Sequence, residues 1–244
     1  MRLLKFCKDF LLYTGILRLL SPLNKAFLFT RNFNMLRKWI GKNRSSELLI
    51  NDFYVPVRNY DKRFDLYRAV SGHYDLSKIQ VLYLEFGVAS GHSFSWWLSH
   101  NTHPESRFFG FDTFEGLPEN WGGYRKGDMA YETGSTGLGD RRAHLVKGTF
   151  QDTLTPFMEE HRGSLKETRK LIHLDADLFS STLFVLSQLY PWLQPGDLIL
   201  FDEFNVANHE FFAYKIFTES FYVNLKLIGA QNNYYQTAFE VRPR

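Results

Sequence analysis

Asp175, Asp202 and Glu203 each stand where an apolar run stops. Lys170-Leu171-Ile172-His173-Leu174 precedes the first, and Leu198-Ile199-Leu200-Phe201 precedes the adjacent pair. Runs of this kind are how buried strands of a parallel sheet read. Carboxylates at their ends converge on one rim of the sheet, where open α/β folds bind ligands. Three carboxylates brought together require a cation, shared protons or both. The chemistry this points to is that of a metal-assisted active site.

A second group of residues suits a nucleoside. Glu85-Phe86-Gly87-Val88-Ala89-Ser90-Gly91-His92-Ser93 joins an apolar run to an amphipathic stretch, and its glycines permit a tight turn and close backbone approach to a ligand. The spacing is E-x-G-x-x-x-G, which differs from the three-glycine dinucleotide fingerprint. Asp112 ends the next run. It is placed either to accept from both ribose hydroxyls or to cap a helix. After the third run, Gly148-Thr149-Phe150 offers backbone groups and a flat ring where an adenine would lie.

These residues need a scaffold, and the pattern supplies one. Strands are expected at 81–86, 107–111, 144–146, 170–175, 197–202, 223–229 and 234–241, with helices at 91–100, 152–161, 180–190 and 208–221. Such alternation predicts an α/β fold: a doubly wound, seven-stranded, mostly parallel sheet, Rossmann-like. The last two strands are joined only by the turn Ala230-Gln231-Asn232-Asn233, so they must pair antiparallel. Residues 113–142 break the rhythm with seven glycines, and Phe114, Trp121, Tyr124 and Tyr131 argue against a simple linker. They read as a lid over the site. A chain of 244 residues, 44% hydrophobic and 17% aromatic, buries a full core as one domain at 51–244, preceded by an arm at 1–50.

The stretches EFGVASGHSFSWW, GFDTFEGLPENW, VKGTFQDTL and IHLDADLFSSTLFVLSQLYPWLQPGDLILFDEF resemble the macrocin O-methyltransferase family over roughly residues 80–241. Members of that family are class I S-adenosylmethionine-dependent enzymes that methylate sugar hydroxyls of natural products, commonly with Mg²⁺. The resemblance implies that Glu85, Gly87 and Ser93 line the methionine end of the cofactor, with Ser90 and Gly91 in the same loop. It implies that Asp112, beside Thr113, holds the ribose, and that Thr149 and Phe150, after Gly148, flank adenine. It implies metal positions at Asp175, Asp202 and Glu203, with Asp175 also bordering the cofactor. Glu203 stands where the family more often has a second Asp.

Transfer of a methyl group to a sugar oxygen needs activation of a very weak acid. A cation binding two vicinal hydroxyls would act as Lewis acid and template, and Asp175 is placed to take the proton as general base. His209, just past the acidic pair, reads either as a second catalytic base or as the cap of the helix at 208–221. His173, inside a strand, reads as a core residue or as one that supports the ligands. Asp177 either orients Asp175 or caps the next helix. Enzymes of the catechol type, by resemblance, carry Lys three residues after the first metal Asp; Leu178 occupies that position and disfavours a phenolic acceptor. A non-catalytic scaffold would have no use for carboxylates held close together.

Charge divides the chain. Residues 1–44 hold ten Lys and Arg against the single acid Asp9, a net of +9, while the other 200 residues hold 19 basic and 25 acidic groups, a net of −6. Three readings stand for the arm: packing on the body or on a second copy in a dimer, contact with an anionic membrane surface, or nucleic-acid binding. Confinement of the basic bias to the arm argues against nucleic acid as partner. Phe10–Leu17 is too short to span a bilayer, and no small-x-small cleavage site follows the basic and apolar start. The lone Cys7 excludes an intramolecular disulfide and is compatible with a reducing compartment. The expected location is the cytoplasm, with the arm at a membrane surface in the second reading, and the expected substrate partner is a small-molecule or glycan acceptor.

Overall fold

A computed structural model describes residues 2–45, 47–117, 119, 123–130 and 139–243, with the side chain of residue 2 left out. Its centre is one sheet in the order β3-β2-β1-β4-β5-β7-β6. The strands are β1 (Val81–Phe86), β2 (Arg107–Asp112), β3 (Ala143–Lys147), β4 (Arg169–Leu174), β5 (Leu198–Phe201), β6 (Asn224–Gln231) and β7 (Gln236–Arg242). The first five pair in parallel, and β7 runs antiparallel to both β5 and β6. This is the seven-stranded, mostly parallel sheet that the alternation of runs predicts.

Every residue of β1 and β5 is buried, because helices cover both faces of the sheet. One face packs Leu82, Leu84 and Phe86 with Leu154, Phe157, Leu186 and Phe201. The other packs Tyr83 with Tyr67, Phe94, Trp97 and Phe108. The crossover helices are α4 (His92–His100), α5 (Phe150–Glu160), α6 (Arg162–Glu167), α7 (Phe179–Leu189) and α8 (Glu210–Phe221).

Ahead of the sheet the arm is helical: α1 (Arg2–Thr14), a 3₁₀ segment (Ile16–Leu23) and α2 (Asn24–Asn43). From Asn32 onward α2 is anchored, and the Asn32 amide donates to Asn208 Oδ1 at 3.0 Å. Leu36 and Ile40 enter the core, and Trp39 meets Phe204, Tyr214, Tyr234 and Phe239 at ring-centroid distances between 5.0 and 6.2 Å.

From the arm the chain crosses to α3 (Arg63–His73) along a strap fastened at the sheet edge. Leu49 N–H donates to the Ile228 carbonyl, and Asn51 bridges Ala230 in parallel. Asn233 Oδ1 accepts from the N–H groups of Tyr54 and Val55, and its amide donates to the Val55 carbonyl. Asn232 makes the equivalent two-way bond with Asn59. The β6–β7 turn thus holds residues 54–59 in place, and with them the residues that follow.

Candidate active site

At the carboxyl ends of β1, β2, β4 and β5 lies a cavity of about 520 Å³. Its position is the one that open parallel sheets reserve for ligands. Gly87, Ala89, Asp112, Thr113, Thr149, Phe150 and Gln151 form one side, and Asp175, Asp177, Asp202 and Glu203 the other. Gly116, Leu117, Tyr124 and Met129, from the stretch expected to be a lid, also line it. Within that stretch Leu117 N–H donates to the Asp128 carbonyl and Gly127 N–H to the Leu117 carbonyl. Trp121, Tyr131 and the glycines at 122, 134 and 137 lie outside the described residues.

Glycine is required at 87. Its φ is +94°, and a Cβ there would stand 1.9 Å from the Asp175 carbonyl oxygen. The turn after β1 can therefore pass beside the end of β4 only without a side chain. Asp112 secures the same turn: Oδ2 accepts from the N–H groups of Val88 and Ala89, each at 2.9 Å, and Oδ1 accepts from Phe114 N–H at 2.8 Å. The carboxylate reaches the cavity while organising the loop around it. Thr149 caps α5, accepting from Asp152 N–H, and thereby sets Phe150 against Phe86 in the cavity wall.

Several expected cofactor contacts stand elsewhere. Glu85 is fully buried, away from the residues lining the cavity. Tyr83 donates to its Oε2 at 2.5 Å, and burial pushes its pKa up to about 8. Period 2 puts Glu85 on the face of β1 that carries Tyr83, the face opposite Phe86. Ser93 is buried too, bonded to Tyr67 and Arg63. Ser90 pairs with His92, Gly91 in a left-handed conformation precedes α4, and Gly148, also at positive φ, is packed by Thr153. None of Ser90, Gly91, Ser93 and Gly148 lines the cavity, whereas Gly87, Asp112, Thr113, Thr149, Phe150 and Asp175 do.

The acidic side is crowded. Burial raises the pKa of Asp175, Asp202 and Glu203, and that of Asp177 to about 7. Mutual repulsion raises Asp175, Asp177 and Glu203 further. Arg63 opposes this, with Nη1 3.5 Å from Asp202 Oδ2. Tyr235 donates to Glu203 Oε1, and the Tyr60 hydroxyl is 2.8 Å from that of Tyr235. Asp202 Oδ1, with Gln236 nearby, and Glu203 Oε2 are buried without a hydrogen bond of normal geometry. Behind them the Glu210 carboxylate accepts from Glu203 N–H, and burial raises its pKa strongly.

The expected metal trio, Asp175, Asp202 and Glu203, is brought together in the cavity lining. Among the described residues no group of three His, Cys, Asp or Glu side chains is arranged to hold a metal ion. Tyrosine hydroxyls bond Glu203, and the guanidinium of Arg63 faces Asp202. The donor chemistry still suits a hard cation, because Asp202 Oδ1 and Glu203 Oε2 are buried without a hydrogen bond of normal geometry.

His209 does not line the cavity. It precedes α8, its Nδ1 accepts from Phe179 N–H at 3.3 Å, and burial lowers its pKa. It ties α7 to α8 where a second base was one of two expectations. His173 is fully buried between the hydroxyls of Tyr83 and Tyr67, with a pKa lowered by burial to about 3. Sequence reasoning missed Arg58, Tyr60, Arg63 and Tyr235, all of which line the cavity. Arg58 stacks on the Tyr235 ring at 3.4 Å and Arg63 on the Tyr60 ring at 4.5 Å.

Sheet order and cavity together define a Rossmann-like α/β fold with a cavity at the carboxyl rim of its sheet. A family profile described as a methyltransferase domain matches residues 84–204, from within β1 to just past the Asp202-Glu203 pair. Among solved structures, the calicheamicin methyltransferase CalS11 is similar at 22% identity, with 86% of this chain and 91% of that chain covered and a TM-score of 0.60. Its apo form, described as a TDP-rhamnose 3'-O-methyltransferase, is similar at 21% identity, covering 86% and 93%, with a TM-score of 0.53. The O-methyltransferase NovP is similar at 18% identity, covering 75% and 80%, with a TM-score of 0.52. At these identities the likeness is one of fold. No curated protein matches this chain by sequence.

Proposed function

We propose that this chain is an S-adenosylmethionine-dependent O-methyltransferase acting on a sugar hydroxyl of a glycosylated small molecule or glycan, assisted by a divalent cation such as Mg²⁺. The observation that carries this reading is the single cavity in which the Gly87 turn, Asp112 and Phe150 face Asp175, Asp202 and Glu203. The domain match over residues 84–204 supports the class, and the TDP-rhamnose specificity of CalS11 supports the acceptor.

When bound, S-adenosylmethionine supplies an electrophilic methyl group on sulfur. The residues of this chain do the rest. Gly87 and Ala89 leave room for the donor, Asp112 is placed for its ribose, and Phe150 offers a wall for the adenine. Asp175, whose pKa burial raises, accepts the proton lost by the acceptor hydroxyl as the carbon–oxygen bond forms and the donor's carbon–sulfur bond breaks, releasing S-adenosylhomocysteine. Asp175, Asp202 and Glu203 would hold the cation, which would polarise the hydroxyl as a Lewis acid.

Calorimetric titration with S-adenosylmethionine, with and without Mg²⁺, tests this reading. Binding is expected in both cases. Failure to bind the donor at millimolar concentration overturns the proposal. Asp175→Ala is expected to abolish methyl transfer while leaving donor affinity nearly unchanged, and equal loss of both would contradict its assignment as base.

A further inference from the structure

The arm presents a surface that the methyl-transfer site does not use. Every described side chain from Leu3 to Arg31 is exposed except Gly15. Among them Phe6 is 68% exposed, Leu12 74% and Leu19 80%. Helical spacing puts Leu3, Cys7 and Phe10 on one stripe of α1 and Lys5 and Lys8 on another. Apolar side chains continue through the 3₁₀ segment and into Phe27 and Phe29 of α2. Large apolar side chains exposed in this number along one arm mark an interaction site.

Charge selects the occupant. The arm carries +9, and no described helix is long and apolar enough to cross a membrane. On the described body, exposed large apolar side chains are few and scattered: Leu49, Tyr54, Val57, Tyr60, Tyr124, Met129 and Tyr222. Among the described residues a second copy therefore offers its own arm as the matching apolar face, and that pairing sets +9 against +9. An anionic bilayer surface satisfies both demands, because acyl chains take up the apolar stripe and headgroups the cations.

The surface continues onto the folded domain. Between α2 and the body lies a groove of about 810 Å³, lined by Phe33, Phe53 and Tyr54 together with the cations Arg37, Lys38 and Arg44, and among the described residues no acid lines it. Asn205 and Asn233 close its far side, next to the segments that bring Glu203 and Tyr235 into the catalytic cavity. We infer that residues 2–44 form a docking surface for an anionic phospholipid bilayer, with the groove between α2 and the body receiving a phosphate headgroup.

Co-sedimentation of the full chain with vesicles tests this without any methyl donor, so its outcome is independent of the proposed activity. Binding is expected to vesicles of phosphatidylcholine mixed with phosphatidylglycerol, to weaken as salt rises, and to be weak for phosphatidylcholine alone. Lys5→Gln and Lys8→Gln should each lower affinity roughly 5-fold. Phe10→Asp should also release the protein, and an unchanged melting curve would show that the body remains folded. Equal binding to both vesicle types overturns the inference, as does binding to neither. Arm-dependent dimerisation in sedimentation without lipid binding would assign the surface to a second copy.

Discussion

Arg63 places its Nη1 3.5 Å from Oδ2 of Asp202, deep in a cluster of carboxylates on which burial acts to suppress charge. The guanidinium is the cluster's near cation, and its field lowers the pKa of Asp202, Asp175 and Glu85 against that burial. It also bonds Ser93 and stacks on Tyr60, so its position is fixed by three neighbours.

Replacing this residue with an uncharged one, Arg63→Gln, removes the opposing field. The carboxylates then hold their protons to higher pH, and the acidic limb of the kcat profile should move up by about one unit. An unmoved limb would show that Arg63 does not set the ionisation of the base. The profile should be recorded at saturating donor, because the arginine also borders the cavity.

Gly87→Ala should be severe. The added methyl meets a backbone carbonyl at 1.9 Å, in a conformation that L residues rarely adopt. A loss of roughly 3 kcal/mol in chemical denaturation, with donor binding lost, is expected. Tolerance of alanine would mean that β1 and β4 separate easily at their ends.

Glu85 predicts a pH dependence. Burial raises its folded-state pKa from 4.5 to about 8, so the folded protein keeps a proton that the unfolded chain releases. The stabilisation is full below the unfolded pKa and is lost as pH rises through the folded one. Stability of the ligand-free protein should therefore decline between those values, by up to about 1.4 kcal/mol per pH unit for one group. The raised Asp175, Asp202 and Glu203 act in the same direction. Urea midpoints across that window should flatten in Glu85→Gln. A cation held by the cluster would stabilise most at the alkaline end, where melting in Mg²⁺ should rise most.

Trp39→Ala tests the seam between arm and body. Its ring contacts Phe204, Phe211, Tyr214, Tyr234 and Phe239. Truncation should cost roughly 3 kcal/mol and expose the loop after β5 to proteolysis. Loss of less than about 1 kcal/mol would show that the arm packs only loosely.

The strands were legible because burial on both faces writes itself as continuous apolar runs, from Val81 to Phe86 and from Leu198 to Phe201. Glycine at 87 was legible from the turn it must make. Glu85 was read as a cofactor contact although its parity with Tyr83 already placed it on the other face of β1. Arg58, Tyr60 and Arg63 left no local signal, since the strap that carries them has no periodicity of its own. Their position depends on Asn232 and Asn233, which read as turn residues and whose side-chain bonds are wholly tertiary. The crowding around Glu203 was equally invisible, because Tyr235 reaches it from a strand pair at the far end of the chain.

The asparagine fastening of the strap also sets an order of events during synthesis. Asn233 bonds Tyr54 across 179 positions and Asn232 bonds Asn59 across 173. A ribosome must synthesise the chain through residue 233 before those bonds can form, and closing so long a loop is slow. Until then Arg58, Tyr60 and Arg63 have no fixed place, and the carboxylates lack their guanidinium. A nascent chain that stops short of these asparagines would carry the glycine turn and the acids yet lack the residues that complete the cavity.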